Sequence, residues 1–111
     1  VTGAERDTIH AFDFANDIVQ FAAVDAIAAA FTVGSVNKAT IDNDLTNIVT
    51  AAHLPAHDAV LYTAKTGNLA GHTFLIVDGN GVAGYQTGSD LVIELSGALH
   101  TGSISSANFI A

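Results

Sequence analysis

Along the second half of the chain, apolar residues run in short, nearly unbroken blocks. "DAVLYTA" (58–64), "HTFLIVD" (72–78) and "LVIEL" (91–95) are rich in β-branched and aromatic residues and are bounded by glycine, asparagine or aspartate. These features predict three strands. Between the last two lies "DGNGVAGYQTGSD", a glycine-rich loop with Asp78 and Asn80 at one end and Asp90 at the other. The first half reads differently. "DTIHAF" (7–12) and "DIVQF" (17–21) predict two short strands joined by an Asp/Asn turn. "AAVDAIAAAF" (22–31) is dense in alanine, which favours helix. "TIDNDLTNIVTAAHL" (40–54) places Ile41, Leu45, Ile48, Val49 and Ala52 at helical spacing. Thr40 stands as its N-cap, Asp42 and Asp44 occupy a first turn where the helix dipole favours them, and Pro55 is its expected stop.

Strands, then helices, then strands predict an α+β fold. The expected form is a mainly antiparallel sheet or sandwich with one or two short helices in the middle of the chain. One domain is expected over 1–111, with a strand–turn–strand at 1–21, a helical insertion at 22–56, and hairpins plus a C-terminal strand at 57–111. The tail "GSISSANFIA" ends on the apolar trio Phe109-Ile110-Ala111.

Half of the 111 residues are apolar and only 13% are charged, enough apolar material for a core under a lean charged surface. The balance of 11 acids against 3 basic residues, net −8, argues against gripping a phosphate backbone and against nucleic acid as a partner. No apolar run reaches the roughly 20 residues that cross a bilayer, so no transmembrane segment is expected. The chain has no cysteine, hence no disulfide and no thiolate chemistry. It starts at Val1 without methionine or a secretory signal pattern, as expected of a processed product or a piece of something longer.

The order of motifs along the chain resembles the C-terminal module of RTX-type proteins, bacterial extracellular proteins that leave the cell by type I secretion. "GAERDTI" (3–9) is similar to a last, degenerate glycine–aspartate β-roll turn, with Gly3 and Asp7 in place. "DTIHAFDFANDIVQF" resembles the strand–turn–strand after such a roll, "HTFLIVDGNGVAGYQTGSDLVIELSGA" the late hairpin, and "SISSANFIA" the closing segment. Glu5 and Ala11 depart from the pattern, at a roll glycine and at an aspartate ligand respectively. The resemblance implies an extracellular or cell-surface location, a family need for calcium, no catalytic residues, and export directed from the C-terminus.

Calcium takes six to eight oxygen ligands. Asp78 and Asn80 stand in a one–three relation, the Val82 carbonyl follows, and Asp90 can close the site across the loop. The alternative is a plain glycine-rich turn in which Asp78 and Asn80 bond their own backbone. Asp7 is a further calcium candidate, shared with a preceding roll, beside Asp13 and Asp17. His53 and His57 have the i, i+4 spacing of zinc ligands, but Pro55 between them breaks the shared helical face. His72 and Tyr85 flank the late hairpin at positions a haem could use. No nucleophile elbow, phosphate loop or His-Glu-x-x-His occurs, so no enzyme is expected. The leading expectation is a non-enzymatic, self-assembling structural module of a secreted surface, matrix or adhesin protein, forming a homo-oligomer or filament. The alternative is a secreted small-ligand or metal-binding protein for calcium, zinc or haem.

Overall fold

The computed structural model describes residues 6–111, so the turn expected around Gly3 and Glu5 lies outside the described residues. Eight strands are β1 (Asp7–His10), β2 (Val19–Gln20), β3 (Ala26–Ile27), β4 (Phe31–Thr32), β5 (Asp58–Thr63), β6 (Thr73–Val77), β7 (Leu91–Ser96) and β8 (Phe109–Ile110). One α-helix, α1 (Ile41–Ile48), and three single 3₁₀ turns complete the described elements. The architecture is α+β, as the sequence predicts. Its central meander β5–β6–β7 is antiparallel, with Leu61 opposite Leu75 and Leu75 opposite Ile93. The sheet as a whole is mixed: β1 joins β7, and β3 and β4 join β5, all in parallel.

Apolar residues fill both faces of this meander, which explains the nearly continuous runs. Val60, Tyr62, Phe74, Ile76 and Val92 pack on one side with Ile41 and Leu45 of α1. Ala59, Leu61, Leu75, Val77, Ile93 and Leu95 pack on the other with Phe12, Phe14, Val19, Val24 and Phe109. The period-2 alternation of side chains divides each strand between two cores rather than between core and water.

The strands expected within 7–12 and 17–21 are present as β1 and β2, whereas the expectations for 22–31, for the end of α1 and for its cap need correction. Strands β1 and β2 do not pair with each other: β1 lies along β7, and β2 lies along the C-terminal β8, again in parallel. Ala11 takes a φ of 57° and the Asp13 carbonyl accepts from both Asn16 and Asp17, so the chain is redirected before a hairpin can form. The alanine-dense stretch 22–31 is not helical. It supplies β3 and β4 to the outer edge of β5, where Ala28 N–H donates to the Ala59 carbonyl at 2.8 Å. Alanine's helix preference is weak against an unpaired strand edge beside it. The helix predicted to 54 stops at Ile48, well before Pro55. Beyond that point the Val49 and Leu54 carbonyls accept from Tyr85 and Gly84, and this docking of the late loop replaces further helical bonds. Thr40 is at the N-cap position, yet its side chain does not cap. It donates to Asp44 Oδ2 at 2.7 Å, and the same carboxylate accepts the Asn37 N–H at 3.0 Å.

Candidate functional site

The loop between β6 and β7, residues 78–90, carries the densest polar geometry. Asp78 and Asp90 are buried, 2% and 0% exposed, at the ends of two adjacent antiparallel strands. Each is strapped to backbone. Asp78 Oδ2 accepts the His57 N–H at 2.6 Å and its Oδ1 accepts that of Asn80 at 3.3 Å. Asp90 accepts from Gly79 at 2.9 Å and Gln86 at 2.7 Å. Burial pushes the Asp90 carboxyl up to about 6 against the two backbone bonds, and the neighbouring Asp78 carboxyl, hydrogen-bonded to it, adds to the rise. Asp90 therefore keeps its proton over a range where an ordinary aspartate would be ionised. Asp58 is also raised, by burial and then by Asp25 and Asp78, with His57 opposing.

The glycines of the loop answer to close contacts. A Cβ on Gly79 would stand 2.5 Å from the Ser89 carbonyl oxygen and 2.7 Å from the Phe21 ring. Gly81, at φ 75°, faces the His57 ring. Asn80 is exposed, and its Oδ1 accepts the Val82 N–H at 3.0 Å. Asp78 and Asn80 thus both make the two-residue Asx bonds of a glycine-rich turn. Gln86 donates through Nε2 to the Ala83 carbonyl, while its buried Oε1 has no partner among the described residues.

Of the calcium candidates, Asp78, Asn80 and Asp90 share this loop. Asp7 stands apart on β1, exposed and opposite Ile93. Among the described residues no group of three or more His, Asp or Glu side chains converges as a metal site. His53 stacks on Phe31, with ring centroids 3.8 Å apart, whereas His57 sits against Gly81, so the two imidazoles serve different contacts. His72 Nδ1 bonds Glu94 Oε2 at 2.7 Å, and Tyr85, buried, donates to Asp42 at 2.7 Å. Asp13 and Asp17 close their own turn: Asp13 accepts from Asn16, Ala15 and His100, which lowers its pKa, and its N–H donates to Asp17.

Sequence inspection missed a second polar cluster. Glu94 accepts from Arg6 Nε at 3.0 Å and Nη2 at 2.8 Å, as well as from His72. Burial raises the Glu94 carboxyl, but the hydrogen bonds from His72 and Arg6 outweigh it and the net shift is downward. Arg6 lies over the Phe74 ring, 5.5 Å from its centroid. The available signal was the acid interrupting the apolar run "LVIEL"; its partners are remote in sequence.

Compared with known proteins, the chain matches no family model, no curated protein and no solved structure. Among the described residues no helix is long and apolar enough to cross a membrane.

Proposed function

We propose that this chain is a non-enzymatic structural module of a secreted surface, matrix or adhesin protein, and that it works by associating with copies of itself. The observation that carries the assembly is the inequality of the two ends of the main sheet. At one end the outer side of β5 is covered by β3 and β4, two short strands placed end to end. At the other end β1 has a strand on one side only among the described residues. Ala11 N–H donates to Ser96 on the β7 side, so strand alternation turns the backbone groups of Thr8 and His10 outward. An exposed row of N–H and C=O groups is a template for another strand. The broken opposite end is a poor acceptor, so β1 pairs best with β1 of a second copy about a two-fold axis, which closes as a dimer. Exposed Ile18, Phe21 and Ile110 on the β2–β8 ribbon add apolar surface.

Light scattering on the purified chain tests this. The expected species is a dimer at high concentration. Thr8→Pro removes an outward N–H from an edge strand, where proline is tolerated, and should give a monomer with unchanged secondary structure. A monomeric wild-type chain at every concentration would refute the proposal. Secretion is tested separately by fractionating the source culture, where confinement to the cytoplasm would exclude it.

Calcium belongs to this proposal through Asp78 and Asp90, where the cation would take the place of the Asp90 proton. Binding to the native state alone adds about 2.7 kcal/mol at a hundredfold excess over the dissociation constant. Equal melting in calcium and in a chelator would remove calcium from the proposal. A haem or zinc protein is the competing class, and stoichiometric uptake of either by the monomer would favour it.

A further inference from the structure

We infer that Asn80-Gly81 is a site of self-catalysed deamidation, a covalent modification that the fold assists. The chain has a single Asn-Gly pair, and it stands here, at the exposed tip of the loop. Four features meet at the reacting atoms. Gly81 has no Cβ to obstruct approach to its backbone nitrogen. Its N–H makes no hydrogen bond to any described residue, unlike those of Gly79, Asn80 and Val82 around it. The Asn80 side chain is folded back over the Gly81 peptide by the bond from Val82 N–H to Oδ1, which also places a donor on the oxygen that gains charge during attack. The His57 ring lies alongside: its Nε2 is 3.3 Å, and its Cε1 2.9 Å, from the point where a Gly81 Cβ would stand. The imidazole thus borders the Gly81 Cα, one bond from the nitrogen, and is the base assigned to its N–H.

The chemistry balances with water as the only co-reactant. The Gly81 nitrogen loses its proton toward His57 and attacks Asn80 Cγ, forming a C–N bond. The tetrahedral centre expels ammonia, which carries away a proton, and leaves a succinimide. Water then opens the ring at either carbonyl. Breaking the new Cγ–N bond gives aspartate at position 80, and breaking the original peptide C–N bond gives isoaspartate. Nothing is oxidised or reduced. Either product adds a negative charge to a loop that already buries Asp78 and Asp90, and isoaspartate also lengthens the backbone between them.

The test is prolonged incubation of the full chain at neutral pH in ¹⁸O-labelled water, followed by peptide mapping. Asn80 should convert to a mixture of aspartate and isoaspartate carrying one heavy oxygen, while Asn16, Asn37, Asn43, Asn47, Asn68 and Asn108 stay intact as internal references. His57→Asn keeps a residue that tolerates the positive φ of 64° at this position and should slow conversion by about tenfold. Asn80 persisting as long as the other asparagines would overturn the site. Conversion at an unchanged rate in the His57→Asn protein would overturn the assistance by the fold.

Discussion

At the scale of single residues, the buried Asp78–Asp90 pair makes stability depend on pH in an unusual direction. The Asp90 carboxyl, raised to about 6 from 3.8, binds its proton more tightly in the folded chain than in the unfolded one. Its contribution is therefore fully present below about pH 4 and is lost as pH rises through 6. A rise of this size is worth about 3 kcal/mol. Asp13 and Glu94, both lowered, act in the opposite sense and at lower pH, losing their contributions as pH falls. Urea melts in a chelator from pH 4 to 8 should show a fall through pH 6. Asp78→Asn should flatten that fall, because the amide keeps an acceptor for His57, removes the carboxylate that raises Asp90 and offers Asp90 a donor. Identical pH profiles for the two proteins would show that the pair is not the cause. The loop positions of Asp78, Asn80 and Asp90 were legible from their spacing around glycines. The Arg6–Glu94–His72 cluster was not, because Arg6 and Glu94 are 88 residues apart and no local pattern links them.

Among the elements, α1 depends on a carboxylate rather than on the hydroxyl that its sequence advertises. Asp44 collects the Asn37 N–H and the Thr40 hydroxyl and holds the preceding 3₁₀ turn against the helix. Asp44→Ala should cost about 1 kcal/mol, the usual worth of a cap, and Thr40→Ala less. Thermal melting of the two variants checks the order, and a larger loss for Thr40→Ala would reverse the assignment. The three long strands were readable because their composition and flanking turns are local properties. Strands β1 and β2 were readable as well, but their parallel pairing was not, because their partners are remote in sequence; β3 and β4 were missed, since a two-residue strand carries no periodicity. Alanine content alone predicts helix at 22–31; what decides otherwise is the unpaired edge of β5, which appears only after β5 and β6 have come together.

For the whole molecule, the two cores share one sheet, and the tail is part of the second. Phe109 is 3% exposed among Phe12, Phe14 and Val19, and Asn108 Nδ2 donates to the carbonyls of Phe14 and Asp17. Phe109→Ala should cost about 3–5 kcal/mol, a large part of the stability of a domain of this size. A loss within 1 kcal/mol would mean that β8 is a detachable strap rather than a component of the core. The same variant should leave α1 and its packing intact if the two cores are energetically separable, which hydrogen exchange at the helix amides would show.

Among the described residues, the ladders of β1 with β7 and of β2 with β8 join residues 7–20 to residues 93–110. A polypeptide emerging from a ribosome therefore holds β1 and β2 without these partners until β7 and β8 arrive. Such long loop closures slow folding, so refolding should be slower than in helical proteins of equal length, and a chain halted before residue 109 should stay partly open. Stopped-flow refolding beside a chain truncated after Ser105 would measure this. The wiring makes completion of the second core wait on residues 109 and 110.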